Sequence, residues 1–334
     1  MKTVFPVDYK STMSLYDTQE AISLVKQTFQ KYISDALHLK RVSAPLFVLK
    51  DSGLNDDLNG FERSVDFDIP SANKNGSIVH SLAKWKRMAL YDYEFYVGKG
   101  LYTDMNAIRR DEEVDNLHSI YVDQWDWEKI ITKKERNLKT LKATVNNIHK
   151  CILATLATLK IKYPSIDVNL PDNVYFITAE DLLKKYPSLS SKQREYEIVK
   201  QKKAVFIIGI GDKLSDGKPH DGRAPDYDDW KLNGDLIYYH KVLDCALEIS
   251  SMGIRVDDKS LDYQLNISNH NERRKYKYHQ MILNNTLPLT IGGGIGQSRL
   301  CMLLMGKAHI GEVQSSLWDD ETIKLAKENN VEIL

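Results

Sequence analysis

Apolar side chains at Ile22, Val25, Phe29, Ile33 and Leu37 recur every three or four residues, which predicts an amphipathic helix over 18–37. Asp17 or Thr18 is placed to cap it, although no Glu completes a capping box. Residues 42–49 then read as a strand entered through Pro45, and a proline there suits an edge or an interface. Residues 68–77 are a polar hairpin or loop, and a helix is predicted over 81–91. Aromatic or aliphatic residues alternate with polar ones over 119–127, the pattern of a half-buried strand. The stretch 128–161 carries Leu138, Leu141, Val145, Ile148, Ile152, Leu156 and Leu159 on one side and predicts a long helix. Strands are expected at 174–178 and 204–210, separated by charged helices at 179–187 and 190–202. Two more follow at 232–239 and 242–250, then helices at 258–267 and 272–284, and last a glycine-rich segment. No long linker, repeat or low-complexity block interrupts this order. The expectation is one α+β domain, residues 1–334, on a mostly antiparallel sheet flanked by helices.

Composition narrows the function classes. The 46 basic and 46 acidic residues cancel, which argues against a protein whose affinity comes from the phosphates of a long nucleic acid. A small phosphate ligand held by a few local arginines stays open. Cys151, Cys245 and Cys301 are odd in number, far apart and set among apolar neighbours, so they read as buried thiols of a reducing compartment. The first six residues lack an apolar signal core, and the longest apolar run, 204–211, falls far short of the ~20 residues a bilayer requires. A soluble, cytoplasmic protein without membrane contact is expected.

Four groups of residues carry candidate chemistry beside the glycine segment Thr290-Ile-Gly-Gly-Gly-Ile-Gly-Gln-Ser-Arg-Leu300. Its glycines, Gly292 and Gly294 among them, let backbone approach a flat or charged ligand, and Arg299 falls on the first turn of the next helix. A tight strand-to-helix turn explains the glycines equally well. The first group, His80-Ser-Leu-Ala-Lys-Trp-Lys-Arg87, offers Ser81 and Lys86, or else is a basic solvated helix. The second joins Arg109 to Gln124 and Asp126, which share a strand face and can grip an amino acid; the alternative is a solvent-facing edge. The third, Arg223-Ala-Pro-Asp-Tyr-Asp-Asp-Trp230, is a phosphate and magnesium clamp or a self-neutralised loop, and includes Asp228. The fourth sets Asp235, Glu248 and Arg255 around the small residues Ser250-Ser251-Met252-Gly253. No Gly-x-Ser-x-Gly elbow, reactive cysteine context or zinc spacing of histidines occurs.

Taken together the strings resemble the catalytic core of class II aminoacyl-tRNA synthetases. Leu39-Lys-Arg-Val-Ser-Ala-Pro45-Leu looks like that superfamily's first motif, Arg109 to Asp126 like its second, and Gly292 to Arg299 like its third. Strings 80–87, 122–128, 223–230, 250–256 and 290–300 are more closely similar to the aspartate–ammonia ligases, the ammonia-dependent type A asparagine synthetases, across essentially the whole chain. Residues 52–58 and 70–76 are looser fits.

The resemblance implies a two-step ligase reaction: L-aspartate and ATP give β-aspartyl-adenylate and pyrophosphate, then ammonia displaces AMP to yield asparagine. It implies that Arg109 holds the α-phosphate, Arg299 the adenine face or γ-phosphate, and Arg223 the leaving pyrophosphate. Asp228, Gly292 and Gly294 join the nucleotide site. Asp235 and Glu248 would place magnesium. Ser81, Lys86, Gln124 and Asp126 would grip aspartate, with Ser251 and Arg255 nearby, and Asp56 would orient or deprotonate the ammonium. The resemblance further implies a homodimer. Free ammonia is the expected donor, because Met1-Lys2 offers no nucleophilic cysteine for glutamine. A tRNA synthetase normally adds an anticodon-binding domain and a basic surface, and an inactive amino-acid binder tends to lose a phosphate arginine; neither pattern is met here.

Overall fold

The computed structural model describes residues 3–56, 58 and 62–334. Met1 and Lys2, and Asp57 of the 52–58 string, lie outside the described residues. Helix α1 (Leu15–Leu37) leads through strands β1 (Leu39–Arg41) and β2 (Phe47–Leu49) to the hairpin of β3 (Asp66–Ile69) and β4 (Lys74–Ile78). Helix α2 (Ala83–Asp92) precedes a long hairpin, β5 (Gly100–Ile108) and β6 (Tyr121–Ile130), and then α3 (Leu138–Lys162). Strand β7 (Tyr175–Thr178), helices α4 (Ala179–Lys185) and α5 (Ser191–Lys202) and strand β8 (Ala204–Ile208) follow. A second hairpin, β9 (Asp228–His240) and β10 (Cys245–Arg255), leads to α6 (Asp258–Ile267) and α7 (Lys277–Leu283). Strand β11 (Thr290–Gly296) passes directly into α8 (Gln297–Met305), and α9 (Asp320–Glu328) comes last.

Eight strands form one sheet in the order β1-β5-β6-β11-β10-β9-β8-β7, and β2-β4-β3 form a small antiparallel sheet. Only the outer pairs of the large sheet, β1 with β5 and β7 with β8, are parallel. The expected α+β architecture on a mostly antiparallel sheet therefore holds.

One face of the large sheet is the main core. Trp125 and Trp127 of β6, Ile249, Met252 and Ile254 of β10, and Ile291 and Ile295 of β11 pack there with helices α1, α3 and α8. Phe29 of α1 meets Trp125 with ring centroids 4.8 Å apart. Each such side chain contributes roughly 1.5–3 kcal/mol by leaving water. The opposite face carries polar residues and the candidate site.

Several predicted elements shift. Ser14, not Asp17 or Thr18, caps α1 by accepting from the Asp17 N–H, and the buried stripe runs through Ala21, with Ile22 half-buried. The strand expected at 42–49 splits at Pro45. Its first part moves upstream to pair with β5 and its second pairs with β4, because proline supplies no N–H to a ladder. The long helix begins at Leu138, since 128–130 continue β6 and Asn137 provides the cap. Strand β10 runs on to Arg255, five residues beyond the prediction, and β9 begins at Asp228. Strand β5 and helix α9 were not predicted: β5 buries both faces and shows no alternation, and α9 is short and mostly polar.

Candidate functional site

Strand register assembles the site. Asp126 of β6 lies opposite Gly294 of β11, Gly294 opposite Ser251 of β10, and Ser251 opposite Asp235 of β9. Four residues distant in sequence thus form one cross-strand row, ~14 Å long at the usual strand spacing. Gln124 lies two residues along, opposite Gly296, so it shares the face of Asp126 as predicted. A register shift between Glu248 and Ser250 adds one residue to β10. That bulge turns Glu248 to the same face as Ser251, although residues three apart in a regular strand face opposite ways.

The glycines make room for protein as well as for any ligand. A Cβ on Gly292 would strike Glu128 Oε2, and one on Gly294 would strike Gln124 Oε1. Strand β11 is thus a thin floor over which its neighbours' side chains lie. Lys86 reaches that floor from α2, donating to the Gly293 carbonyl and to Asp126 Oδ1, both at 2.9 Å. The solvated-helix reading of 80–87 fails here: Lys84, Lys86 and Arg87 are 3 %, 1 % and 1 % exposed. Burial pushes the Lys86 ammonium below its ordinary pKa, although Asp126 opposes the shift. Arg87 instead donates to the carbonyls of Pro288 and Val256 at 2.9 and 2.7 Å. Lys84 sits 3.5 Å from Asp226, a fully buried carboxylate that also takes Arg273 and His279 at 2.9 Å. Burial raises the pKa of Asp226, but Lys84, His279 and Arg273 outweigh it and hold the group well below the carboxylate range.

Arg255 is clasped on two sides. Its Nε and Nη2 donate to Glu128 at 2.8–3.1 Å, and its Nη1 donates to Asp228 Oδ1 at 2.5 Å. Asp228, a predicted nucleotide residue, is therefore engaged with Arg255, and burial pushes its pKa up. Glu128 is fully buried and also accepts from Thr290 Oγ1 at 2.6 Å. Sequence reasoning missed Glu128, Asp226 and Lys84. Extending the 124–126 alternation by one step would have found Glu128, had 128 not been assigned to a helix.

Arg109, Arg223 and Arg299 line the same region. Arg109 follows β5 in the β5–β6 loop, 3.9 Å from Glu112, and its buried Nε has no hydrogen-bond partner among the described residues. Arg299, on the first turn of α8 as predicted, donates to the backbone carbonyls of Glu248 (3.2 Å) and Leu117 (3.4 Å). Arg223 pairs with Asp235 Oδ2. Burial lifts the Asp235 pKa to about 6, with Arg223 pulling it down and Glu248 pushing it up. Burial acts the same way on Glu248, but Arg299, Arg223 and Lys192 hold that carboxylate low. At the far end Ser81 donates to Asp56 Oδ2 at 2.9 Å, and the Asp56 carbonyl meets His80 Nδ1 at 2.9 Å.

These groups converge on a cleft of about 410 Å³, within the range of small-molecule sites. Thirteen of the fifteen predicted site residues line it; Asp235 and Gly292 do not, and lie in the strands behind. Arginines 109, 223 and 299 line the cleft as groups able to pair with anions, and Asp126, Asp56 and Gln124 as groups able to hold a cation and an amide or carboxyl group. Among the described residues no helix is long and apolar enough to cross a membrane, and no three His, Cys, Asp or Glu side chains are grouped to hold a metal.

Residues 16–330 match the family model described as aspartate-ammonia ligase. An aspartate–ammonia ligase of Clostridium perfringens strain SM101 is 58 % identical over 334 residues, covering 100 % of this chain and 99 % of its own. One from Lactobacillus johnsonii is 54 % identical over 336 residues and all of both chains. Among solved structures, Entamoeba histolytica asparaginyl-tRNA synthetase in complex with asparaginyl-adenylate superposes with a TM-score of 0.66 at 16 % identity, over 90 % of this chain and 66 % of that one. The Pyrococcus horikoshii asparaginyl-tRNA synthetase complexed with asparaginyl-adenylate gives 0.64 at 14 %, over 91 % and 70 %. The fold is that of the class II aminoacyl-tRNA synthetases.

Proposed function

The chain belongs to the aspartate–ammonia ligase family and is a ligase, and on that premise we propose that it makes L-asparagine from L-aspartate, ammonia and ATP through β-aspartyl-adenylate. The observation that carries this reading is that one cleft is lined both by Arg109, Arg223 and Arg299 and by Asp126, Gln124 and Asp56. In the first step an oxygen of the β-carboxylate bonds to the α-phosphorus while the bond to pyrophosphate breaks. In the second, the ammonia nitrogen bonds to the acyl carbon, the bond from that carbon to the oxygen bridging to phosphorus breaks, AMP leaves with that oxygen and the electron pair, and the nitrogen sheds a proton. Two anions must approach each other in the first step, so Arg109 on the α-phosphate and Arg223 and Arg299 towards the other phosphates and the adenine supply the screening. Gly294 and Asp228, with Gly292 behind them, form the floor against which the nucleotide lies.

Lys86, Gln124, Asp126 and Ser81 bind aspartate, and Ser251 and Arg255 border it. Asp126 takes the α-ammonium, and the buried Lys86 fixes the Asp126 carboxylate from behind. Asp56, held by Ser81, receives the ammonium and its proton. Magnesium fits Asp235 and Glu248. Asp235 Oδ1 is buried without a hydrogen-bond partner among the described residues, and Mg²⁺ is commonly held by one or two carboxylates plus substrate phosphates. When bound there, magnesium neutralises phosphate charge.

Free ammonia as the nitrogen source is supported by the thiols. Burial pushes Cys151 up to about 11 and Cys245 and Cys301 up to about 12, the reverse of a glutamine-attacking nucleophile. Cys245 is only half-buried, unlike the other two. The three free thiols suit the cytoplasm. One cleft that draws on residues from Asp56 to Gln314 supports reading 1–334 as a single catalytic domain. Exposed Leu46, Phe47, Leu49 and Phe67 around the small sheet support a homodimer.

The test is product analysis by mass spectrometry after incubation with aspartate, ATP, magnesium and ammonium. Asparagine and AMP in equal amounts are expected without added RNA. AMP without asparagine, or ADP in its place, overturns the reading.

A further inference from the structure

Helix α8 begins without a side-chain cap of its own: its N-cap is Gly296, and the residues that follow are Gln297, Ser298 and Arg299. The first N–H groups of a helix need acceptors, and the end of the helix carries partial positive charge. The acceptor comes from another strand. Asp123 of β6 takes the Ser298 N–H at 3.1 Å on Oδ1 and the Ser298 hydroxyl at 2.8 Å on Oδ2. It is 6 % exposed and alternates with Gln124, sharing the side of β6 that carries Trp125, at the border of the cleft that both residues line. Two further donors complete it: Gln314 Nε2 at 3.1 Å on Oδ1, and Lys26 Nζ of α1 at 3.0 Å on Oδ2. Gln314 also donates to Ser298 Oγ at 3.0 Å. One buried carboxylate thus joins α1, α8 and the segment bearing Gln314 immediately beside Arg299. Among the described residues the Arg299 guanidinium donates to two carbonyls over long bonds, 3.2 and 3.4 Å. The Glu248 carboxylate attracts the guanidinium, and the backbone of Arg299 is held by the Asp123 knot.

We infer that Asp123 is a positioning residue for Arg299: it caps α8 from strand β6 and so fixes where the Arg299 guanidinium enters the cleft, with Lys26 tying that cap to α1. The inference rests on the proposal that Arg299 engages the nucleotide. Both oxygens of Asp123 are taken up by protein donors, the Ser298 N–H and Gln314 on Oδ1 and the Ser298 hydroxyl and Lys26 on Oδ2, although the residue borders the cleft. Its removal shifts the angle and order of the first turn of α8, and the nucleotide experiences this through Arg299 while aspartate, gripped by α2 and by Gln124 and Asp126, does not.

The experiment compares Asp123→Asn, Arg299→Ala and the double variant in pyrophosphate release, with kcat and KM taken separately for ATP and for aspartate. Asn keeps the shape and one acceptor but loses the charge opposite Lys26. Asp123→Asn is expected to lower kcat/KM for ATP by about 2- to 30-fold, the span of a lost helix cap expressed wholly in the transition state. The KM for aspartate should stay within about twofold. In the Arg299→Ala background the same change should cost nothing further, since a residue acting through a partner loses its effect with that partner. Ser298→Ala, which removes only the hydroxyl, should move the same parameters less, and it carries the test if Asp123→Asn does not fold. Equal losses in both backgrounds, a loss shared by both substrates, or no loss overturns the inference. Unchanged ATP kinetics in Arg299→Ala overturns the Arg299 assignment itself, a result visible without any Asp123 variant.

Discussion

A guanidinium clasped by two buried carboxylates, as Arg255 is by Glu128 and Asp228, has a fixed plane, and its stability depends on both partners. Removing one leaves a buried charge half compensated. Glu128→Ala should therefore lower unfolding stability by about 3 kcal/mol or more, read as a fall in the urea midpoint at unchanged slope. It should also raise the KM for aspartate, because Arg255 borders that pocket. A variant with an unchanged midpoint would mean that Asp228 alone satisfies Arg255. Residue types foretold this site better than residue states did. Arg109, Lys86, Asp126 and Arg299 were legible because charged side chains cluster in short strings. Their partners were not, since Lys86 finds Asp126 40 positions away and Arg255 finds Glu128 127 positions away, and one string carries no sign of such pairings. The protonation preferences of Lys86, Asp228 and Asp235 come from burial, which exists only in the folded chain.

Strand β11 shows how one element serves two ends. A methyl group at Gly294 would meet the end of the Gln124 side chain, which can swing away, whereas one at Gly292 would meet Glu128, which Arg255 and Thr290 hold in place, and the Trp127 carbonyl. Gly294→Ala should accordingly fold with a near-normal urea midpoint and bind aspartate poorly, with its KM up by roughly tenfold or more. Gly292→Ala should lose stability by ~1–3 kcal/mol, the cost of overpacking. If both behave alike, the glycines serve only the backbone. The regular helices and the alternating strand were readable from periodicity. The Pro45 split, the continuation of β6 past Trp127 and the β10 bulge were not, because hydrogen-bond register decides each of them. Without that bulge, alternation from Ser251 would have turned Glu248 to the core face.

At the scale of the molecule, two buried histidines set a pH dependence. Burial lowers His240 and His309 to about 4 from the ordinary 6.5. Their folded pKa values lie below the unfolded ones, so their neutral forms favour the fold fully above pH ~6.5 and lose that advantage as pH falls towards 4. Each contributes roughly 3 kcal/mol over that window. Urea midpoints at pH 7.5, 5.5 and 4.5 should fall steeply, and His309→Gln should flatten the curve; an unchanged slope would assign acid lability elsewhere. Light scattering should give a particle of twice the 38.4 kDa chain mass, and Phe47→Asp should shift it towards one chain. A monomer in the unmodified protein would end the dimer proposal.

The three buried cations of α2 also have a history in time. Lys84 waits for a partner 142 residues downstream, Arg87 for carbonyls 169 and 201 residues away, and Lys86 for the Gly293 carbonyl at 207. Burial of these charges with their partners in place therefore requires segments from β6 to β11, with Lys86 meeting Asp126 40 positions on and Gly293 only in β11. A fragment ending before β11 would keep Lys86 and Asp126 but lack the Gly293 carbonyl to which Lys86 also donates.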